Sequence, residues 1–147
     1  MKLYLHVIEC AIEHHNKFLT IERPAGTYAA GLFSFPGGKV DLQDEVHSQD
    51  ILRATVKREI LEEVGLNLID PIEYVFSSYF TAANDIPILN STFYCKLRET
   101  NPTVTPSPRE VASYAWLSPD EIYASSNCAD WLKDYLTLIL DYNACKV

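Results

Sequence analysis

The stretch of sequence that decides the fold is Arg58-Glu59-Ile60-Leu61-Glu62-Glu63-Val64-Gly65-Leu66. On a helix, Glu59, Glu62 and Glu63 share one face, because residues three and four positions apart are neighbours. Carboxylates gathered on one face repel each other, so helix stability alone does not explain them. Mg²⁺ is usually bound by a few carboxylates together with substrate phosphates. The pattern therefore indicates a site for magnesium or manganese.

The segment before this stretch is predicted to be the body of the same helix. The helix begins at about Ser48, a plausible N-cap, with Asp50 in the first turn. Apolar residues recur every four positions and form a stripe for packing: Val56, Ile60 and Val64. Gly65 stands where a helix-ending glycine belongs. The carboxylates therefore project from a helix whose other face is packed.

Further toward the N-terminus, the pattern changes to strands and turns. Residues 3–13 and Phe18–Ile21 predict a hairpin, and Pro24–Gly31 predicts a loop punctuated by glycine and proline. A short extended run, Leu32–Phe35, stops at Pro36-Gly37-Gly38, whose backbone can approach a ligand closely. Residues 39–47 are polar and acidic and are predicted to be irregular.

Toward the C-terminus, strands are followed by helices. Strands are predicted at 72–80, 90–97 and 111–117, a short helix capped by Ser118 with Pro119 in its first position, and an amphipathic helix at 129–140. Helices mixed among strands indicate an α/β or α+β domain with a mixed sheet. With no linker or repeat along the chain, residues 1–147 are interpreted as one domain.

The composition limits the classes of function. The chain has 147 residues and a formal net charge of -8, which disfavours nucleic acid and anionic membranes as partners. Phosphate chemistry on such a chain needs a local cation. The four cysteines have no metal or redox spacing. Neither a signal peptide nor a membrane span is evident, so a cytoplasmic location is expected.

Gly38 and the segment 58–66 together resemble the motif of a known family. Gly38 followed by Arg58-Glu59-Ile60-x-Glu62-Glu63-x-Gly65-Leu66 resembles the Nudix box of the Nudix hydrolase superfamily. Its usual pattern is Gly, five residues, Glu, seven residues, then Arg-Glu-U-x-Glu-Glu-x-Gly-U, where U is a bulky aliphatic residue. The second half matches at every specified position. The resemblance implies a Nudix-type α/β/α sandwich with a mixed β-sheet.

The first half of the box departs from the family pattern. Nineteen residues separate Gly38 from Arg58, six more than usual, and the extra residues are assigned to the segment 41–49. Counting back from Arg58 places Asp50 at the usual glutamate position. Asp44 or Glu45 are alternatives from the lengthened loop.

The resemblance implies metal-dependent hydrolysis of a phosphoanhydride bond in a nucleoside diphosphate linked to another moiety, with Mg²⁺ or Mn²⁺ as cofactor. Catalysis is assigned to Glu59, Glu62 and Glu63, with Arg58 holding a carboxylate in position. The metal ligands are the same three glutamates, the Gly38 carbonyl and Glu110, a carboxylate outside the box. The expected partner is a small nucleotide-like substrate, and the family's tendency to dimerise suggests a homodimer.

Substrate recognition is only weakly encoded. Arg23 and Lys39 are candidates for phosphate contacts, and Phe80 is the candidate for stacking on a base. Other aromatic residues could serve the same purpose: Tyr28, Phe33, Tyr79 and Phe93. Nucleoside triphosphates, ADP-ribose or sugar nucleotides, and dinucleotides or coenzyme A all remain open as substrates.

Two other functions share this fold. A Nudix-fold nucleotide sensor without turnover is the main alternative, although the complete glutamate triad favours catalysis. Isopentenyl diphosphate isomerase is disfavoured, because the chain is short and shows no catalytic cysteine context.

Overall fold

A computed structural model describes residues 1–146. Val147, the last residue of the predicted domain, lies outside the described residues. Within residues 1–146, no helix is long and apolar enough to cross a membrane.

The described residues form one mixed sheet with helices on both faces. Its strands are β1 (Leu5–His14), β2 (Lys17–Glu22), β3 (Phe33–Ser34), β4 (Gly37–Lys39), β5 (Glu73–Thr81), β6 (Pro87–Lys96) and β7 (Ser113–Leu117). The helices are α1 (Leu42–His47), α2 (Ile51–Val64), α3 (Pro119–Ala124) and α4 (Asp130–Ala144). The predicted α/β sandwich with a mixed sheet is confirmed.

The sheet is built around a parallel pair. The strand order is β3-β2-β1-β6-β5, with β4 paired to β1 and β7 paired to β2. β1 and β6 run parallel, whereas the other pairings are antiparallel. The central strand β1 is therefore hydrogen-bonded on both sides and is covered on both faces, as near-continuous burial in its second half shows.

Each face of the sheet has its own core. Alternate β1 residues Ile8, Cys10 and Ile12 pack with the α2 stripe of Val56, Ile60 and Val64. On the opposite face, Ala11 packs with residues of α3 and α4, among them Ile122, Leu132, Leu136 and Ile139. The predicted apolar stripe of α2 is fully buried. At about 1.5–3 kcal/mol for each large buried side chain, these contacts fix α2 firmly against the sheet.

Residues 39–47 were predicted to be irregular, and this prediction is wrong. Residues 42–47 form α1, which begins with a capping box: the Asp41 side chain accepts from the Gln43 amide, and Asp44 accepts from the Asp41 amide. Local side-chain capping thus gives the lengthened loop a helix of its own.

The predicted start of α2 is also corrected. Ser48 does not cap α2 but ends α1, and α2 begins at Ile51 with Asp50 as its N-cap residue. The Ser48 hydroxyl accepts a 3.0 Å hydrogen bond from the Asp50 amide, so these residues form the turn between two helices. The predicted end is confirmed, since Gly65 adopts φ 72° and its amide donates to the Leu61 carbonyl.

Candidate metal and phosphate site

The three glutamates of α2 lie at different depths. Glu63, adjacent to the buried stripe, is only 6% exposed. The side chain of Glu59 is 13% exposed and that of Glu62 is 51% exposed. The helix therefore presents a graded row of carboxylates, from the edge of the core to solvent, beside the β1–β4 pair.

Arg58 organises the outer part of this row. Its guanidinium donates to Asp44 through Nε (2.8 Å) and Nη2 (3.0 Å), and to the Lys39 carbonyl (2.9 Å). Nη1 donates to Glu59 Oε1 (2.9 Å) and Glu62 Oε2 (3.2 Å). All five N–H donors of the guanidinium are thus used. The predicted positioning role of Arg58 has a matching geometry.

Asp44, rather than Asp50, is the acidic partner of Arg58. Asp44 is 3% exposed and accepts a further hydrogen bond from the Thr55 hydroxyl (2.8 Å). Hydrogen bonding from Arg58 is the main reason that the pKa of Asp44 falls to about 2. Asp50 forms a solvent-exposed pair with Arg53 (3.3 Å). The sequence left Asp44, Glu45 and Asp50 open for this position. Asp44 is therefore the residue that pairs with Arg58.

The position of Asp44 also locates the six extra residues. Asp44 follows Gly38 after five residues, which is the usual spacing of the family pattern, so the extra residues lie between Asp44 and Arg58. Counting forward from Gly38 would have identified Asp44, whereas counting back from Arg58 crossed the insertion and gave Asp50.

Glu63 has the opposite environment to Asp44. Its Oε1 is buried and has no hydrogen-bond partner in the structure, while the nearby Gly37 amide favours the charged form of the carboxylate. Burial, with added repulsion from Glu110 and Glu59, raises the pKa of Glu63 to about 8. A buried acceptor without a partner is uncommon in native proteins and calls for an explanation.

The loop of residues 101–112 brings Glu110 to this place. It folds over the end of α2, where the amides of Thr105 and Ser107 donate to the Val64 and Glu63 carbonyls, both at 2.8 Å. The chain then turns at Ser107, whose carbonyl accepts hydrogen bonds from the amides of Glu110 and Val111. Glu110 is exposed but close enough for its charge to raise the pKa of both Glu59 and Glu63. The structure thus brings Glu110 near Glu59 and Glu63, from which it is more than forty residues away in the sequence.

Gly38 is in close contact with the same carboxylates. A Cβ atom at this position would overlap the carboxylate group of Glu59. Gly38 pairs with Ile8 of β1, so the strand cannot shift to make room. Glycine at this position therefore allows the backbone of β4 to approach the acidic row.

The donor set fits a hard divalent cation. Carboxylate oxygens and a backbone carbonyl are the ligands such ions prefer, and the buried Oε1 of Glu63 lacks a partner that an ion would supply. The last turn of α2 carries no basic residue, although the helix dipole disfavours carboxylates there. Within residues 1–146, however, no three acidic, histidine or cysteine side chains already surround one point. Glu59 and Glu62 are instead held by Arg58, so ion binding requires these side chains to turn.

The predicted substrate-binding residues lie in different places. Arg23 is half-buried, and its charge acts on both Glu9 and Glu63, which places it beside the acidic row. Lys39 is exposed next to Gly38, and its carbonyl accepts from Arg58. Phe80 is 45% exposed on β5, two strands away from β1. The structure thus brings Arg23 to the site, whereas Phe80 lies across the sheet.

A cleft of about 570 Å³ elsewhere on the molecule lacks this chemistry. It is lined by residues at the ends of β1 and β6 and just beyond α4, including Glu13, Tyr94, Lys96 and Lys146. Its lysines are paired with acidic residues, Lys96 with Glu13 (4.0 Å) and Lys146 with Glu73 (2.9 Å). The acidic row at α2 is the stronger candidate, because it combines the unpartnered Glu63 Oε1 with further carboxylates and a nearby arginine.

Comparison with protein families gives one match over most of the chain. Residues 6–138 match the family model described as NUDIX domain. A curated relative, the CTP pyrophosphohydrolase of Escherichia coli (strain K12), is 39% identical over 62 residues. That match spans 42% of this chain and 42% of the relative.

Solved structures agree with this match. A MutT protein from Methanosarcina mazei Go1 superimposes with a TM-score of 0.76 at 22% identity, covering 99% of this chain and 98% of that chain. The ORF135 protein of E. coli superimposes with a TM-score of 0.72 at 26% identity, covering 97% and 93%. The first likeness shows the fold alone, whereas the second also reflects sequence similarity.

Proposed function

Since the chain belongs to the NUDIX family by the match of residues 6–138, we propose that it hydrolyses a phosphoanhydride bond in a nucleotide, with Mg²⁺ or Mn²⁺ as cofactor. The observation that carries this proposal is the unpartnered buried Oε1 of Glu63, with Glu59 and Glu110 near enough for their charges to raise its pKa. Nucleoside triphosphates are the first substrates to test, because a relative is named for hydrolysis of CTP.

The proposed ligands of the cation are oxygen atoms of Glu59, Glu62, Glu63, Glu110 and the Gly38 carbonyl. When bound, a divalent cation neutralises phosphate charge and lowers the pKa of a bound water. On a chain of net charge -8 this also offsets repulsion of the substrate. Arg23 adds a fixed positive charge beside Glu63, where it could contact a substrate phosphate.

Arg58 is proposed to position the reacting groups without touching substrate. Its bonds to Asp44 and the Lys39 carbonyl fix the guanidinium, and Nη1 then orients Glu59 and Glu62. A carboxylate of the row, Glu59 by family analogy, would accept a proton from the attacking water. The water oxygen forms a new bond to phosphorus, the anhydride P–O bond breaks, and two phosphate products leave. No covalent bond to the protein is needed.

A screen that separates substrates from their hydrolysis products by anion-exchange chromatography tests the proposal. Purified protein would be incubated with Mg²⁺ or Mn²⁺ and separately with nucleoside triphosphates, ADP-ribose, nucleotide sugars, dinucleoside polyphosphates and coenzyme A. Turnover of one class, abolished by EDTA and by Glu63→Gln, is the expected result. If no class turned over but one raised the melting temperature, the nucleotide-sensor alternative would replace the hydrolase proposal.

A further inference from the structure

Three more buried oxygen atoms of the described residues lack hydrogen-bond partners. Asn143 Oδ1 belongs to α4 itself, and the other two lie on the face of the sheet covered by α4. They are Glu9 Oε2 on β1 and Asn90 Oδ1 on β6. Asn90 is 1% exposed, whereas Glu9 is half-buried as a residue. The two acceptors thus lie in a recess that is open toward Glu9 and closed at Asn90.

The surrounding hydrogen bonds explain why Asn90 Oδ1 is left without a partner. The Asn90 amide nitrogen donates to the hydroxyls of Thr92 (3.0 Å) and Ser78 (3.3 Å). Ser78 in turn is hydrogen-bonded to the Tyr135 hydroxyl of α4 (2.8 Å). The amide is therefore oriented by its donors, which leaves its carbonyl oxygen as an unused acceptor.

Glu9 lies beside this network. β1 and β6 pair in parallel with Glu9 opposite Thr92, the acceptor of the Asn90 amide. The charge of Glu9 also raises the pKa of the Tyr135 hydroxyl, which belongs to the same network. Glu9, Ser78, Asn90, Thr92 and Tyr135 together define the Glu9–Asn90 recess.

The recess adjoins the proposed catalytic site. Glu9 pairs with Gly37, whose amide lowers the pKa of Glu63. The charge of Arg23 acts on both Glu9 and Glu63. A single ligand could therefore place its phosphates at Arg23 and the glutamates of α2 and its other end at the recess.

We propose that the Glu9–Asn90 recess receives the exocyclic amino group of a nucleobase, so that Glu9 determines specificity for aminated bases. This inference rests on the proposed function and names the substrate class of the same site. An amino group offers two N–H donors, which match the two unpartnered acceptors. Uracil and thymine would present a carbonyl oxygen at the equivalent position, and two acceptors facing a third would be unfavourable. Asn90 Oδ1 cannot donate, and Glu9 cannot donate once it is ionised, so the two acceptors reject a carbonyl oxygen fully above the pKa of Glu9, which burial raises to about 8.

CTP and UTP form the most informative substrate pair, because an amino group in one base replaces a carbonyl oxygen in the other. The ratio of kcat/KM for CTP to that for UTP would be measured with Mg²⁺ at about pH 9, where Glu9 is ionised, for the wild type, Glu9→Gln and Glu13→Gln. Glu13→Gln is a matched control, since Glu13 lies on the same strand four residues away and is 9% exposed. We expect a wild-type ratio of about tenfold or more, from the cost of an unsatisfied buried hydrogen-bonding group.

The Glu9→Gln variant should lower this ratio by about tenfold, because its amide can donate to the uracil carbonyl. Glu13→Gln should keep the wild-type ratio. An equal ratio in wild type and Glu9→Gln, or a wild type without preference, would overturn the proposal.

Binding of the α,β-methylene analogues of CTP and UTP, measured by calorimetry, separates this inference from the proposed function. If neither nucleotide is hydrolysed but the cytidine analogue binds more tightly and loses this advantage in Glu9→Gln, the recess proposal stands and the hydrolase proposal fails. If hydrolysis occurs with a CTP-to-UTP ratio that Glu9→Gln does not change, the hydrolase proposal stands and the recess proposal fails. If neither analogue binds, the recess proposal fails.

Discussion

Asp44 in α1 and Glu63 in α2 are both buried carboxylates, yet their surroundings are opposite. Asp44 accepts from Arg58, Thr55 and the Asp41 amide, and its pKa falls to about 2. Glu63 has one oxygen without a partner and two acidic neighbours, and its pKa rises to about 8. A fully bonded carboxylate stabilises the native fold, whereas an unsatisfied one leaves an acceptor open to a ligand. Within one motif, Asp44 is therefore used to hold the fold, whereas Glu63 is left available for a ligand.

The largest expected effect is on activity, at Glu63. Glu63→Gln should lower kcat by about a thousandfold or more, because it removes a negative charge that would hold the cation. The melting temperature of the metal-free variant at neutral pH should equal or exceed that of the wild type, since the amide need not ionise. Assays of Glu62→Gln and Glu63→Gln beside each other measure this effect. Near-wild-type turnover in both variants would refute the metal assignment.

The reverse effect is expected at Asp44. Asp44→Asn should reduce the free energy of unfolding by about 3 kcal/mol, because Arg58 would remain largely buried without its partner. Urea denaturation of the two proteins measures this difference. Activity should also fall, since Arg58 would no longer orient Glu59. A variant as stable as the wild type would show that the Asp44–Arg58 pair is not a main structural contact.

The two carboxylates should also give stability profiles of opposite sign in the metal-free protein. The lowered pKa of Asp44 stabilises the fold above about pH 3.8, and this contribution is lost as the pH falls toward 2. The raised pKa of Glu63 means that stability declines as the pH rises from about 4.5 through 8. Urea denaturation across pH should therefore show the acid limb weakened in Asp44→Asn and the alkaline decline weakened in Glu63→Gln. If the stability of the wild type, Asp44→Asn and Glu63→Gln changed with pH in the same way, the pKa directions given for Asp44 and Glu63 would both be contradicted.

A smaller effect is expected at Glu110. This residue is exposed and acts on Glu63 from outside the helix, so Glu110→Gln should lower kcat by about tenfold. Glu99→Gln, in another exposed loop, serves as the control. Equal activity in the two variants would make Glu110 an ordinary loop residue.

The smallest effect is expected at Asp50. Its pair with Arg53 is more than half exposed on the aspartate side, and such pairs typically contribute less than about 1 kcal/mol. Asp50→Asn should therefore change the free energy of unfolding by about 0.5 kcal/mol or less and leave turnover unchanged. A loss as large as that of Asp44→Asn would reverse the assignment of the box aspartate.

Local patterns predicted much of the architecture. The β1–β2 hairpin, the stripe of α2, its end at Gly65 and the capped start of α3 are confirmed, because each depends on residues close together in the chain. The start of α2 and the helix α1 were missed. The helix α1 begins with a capping box that Asp44 closes, and Asp44 also bonds to Arg58 fourteen residues later. α2 begins only after the turn that follows α1, with Asp50 as its N-cap residue.

The sequence by itself determined the family motif, the helix that carries it and the acidic face of that helix, since these follow from spacing along a single element. Only the tertiary structure decided which carboxylate is paired and which is left unsatisfied. Glu110 reaches Glu63 because the loop of residues 101–112 caps α2, and Glu9 joins Asn90 because β1 and β6 pair in parallel. Burial and the availability of hydrogen-bond partners depend on contacts between distant segments, and no local pattern in the chain encodes them.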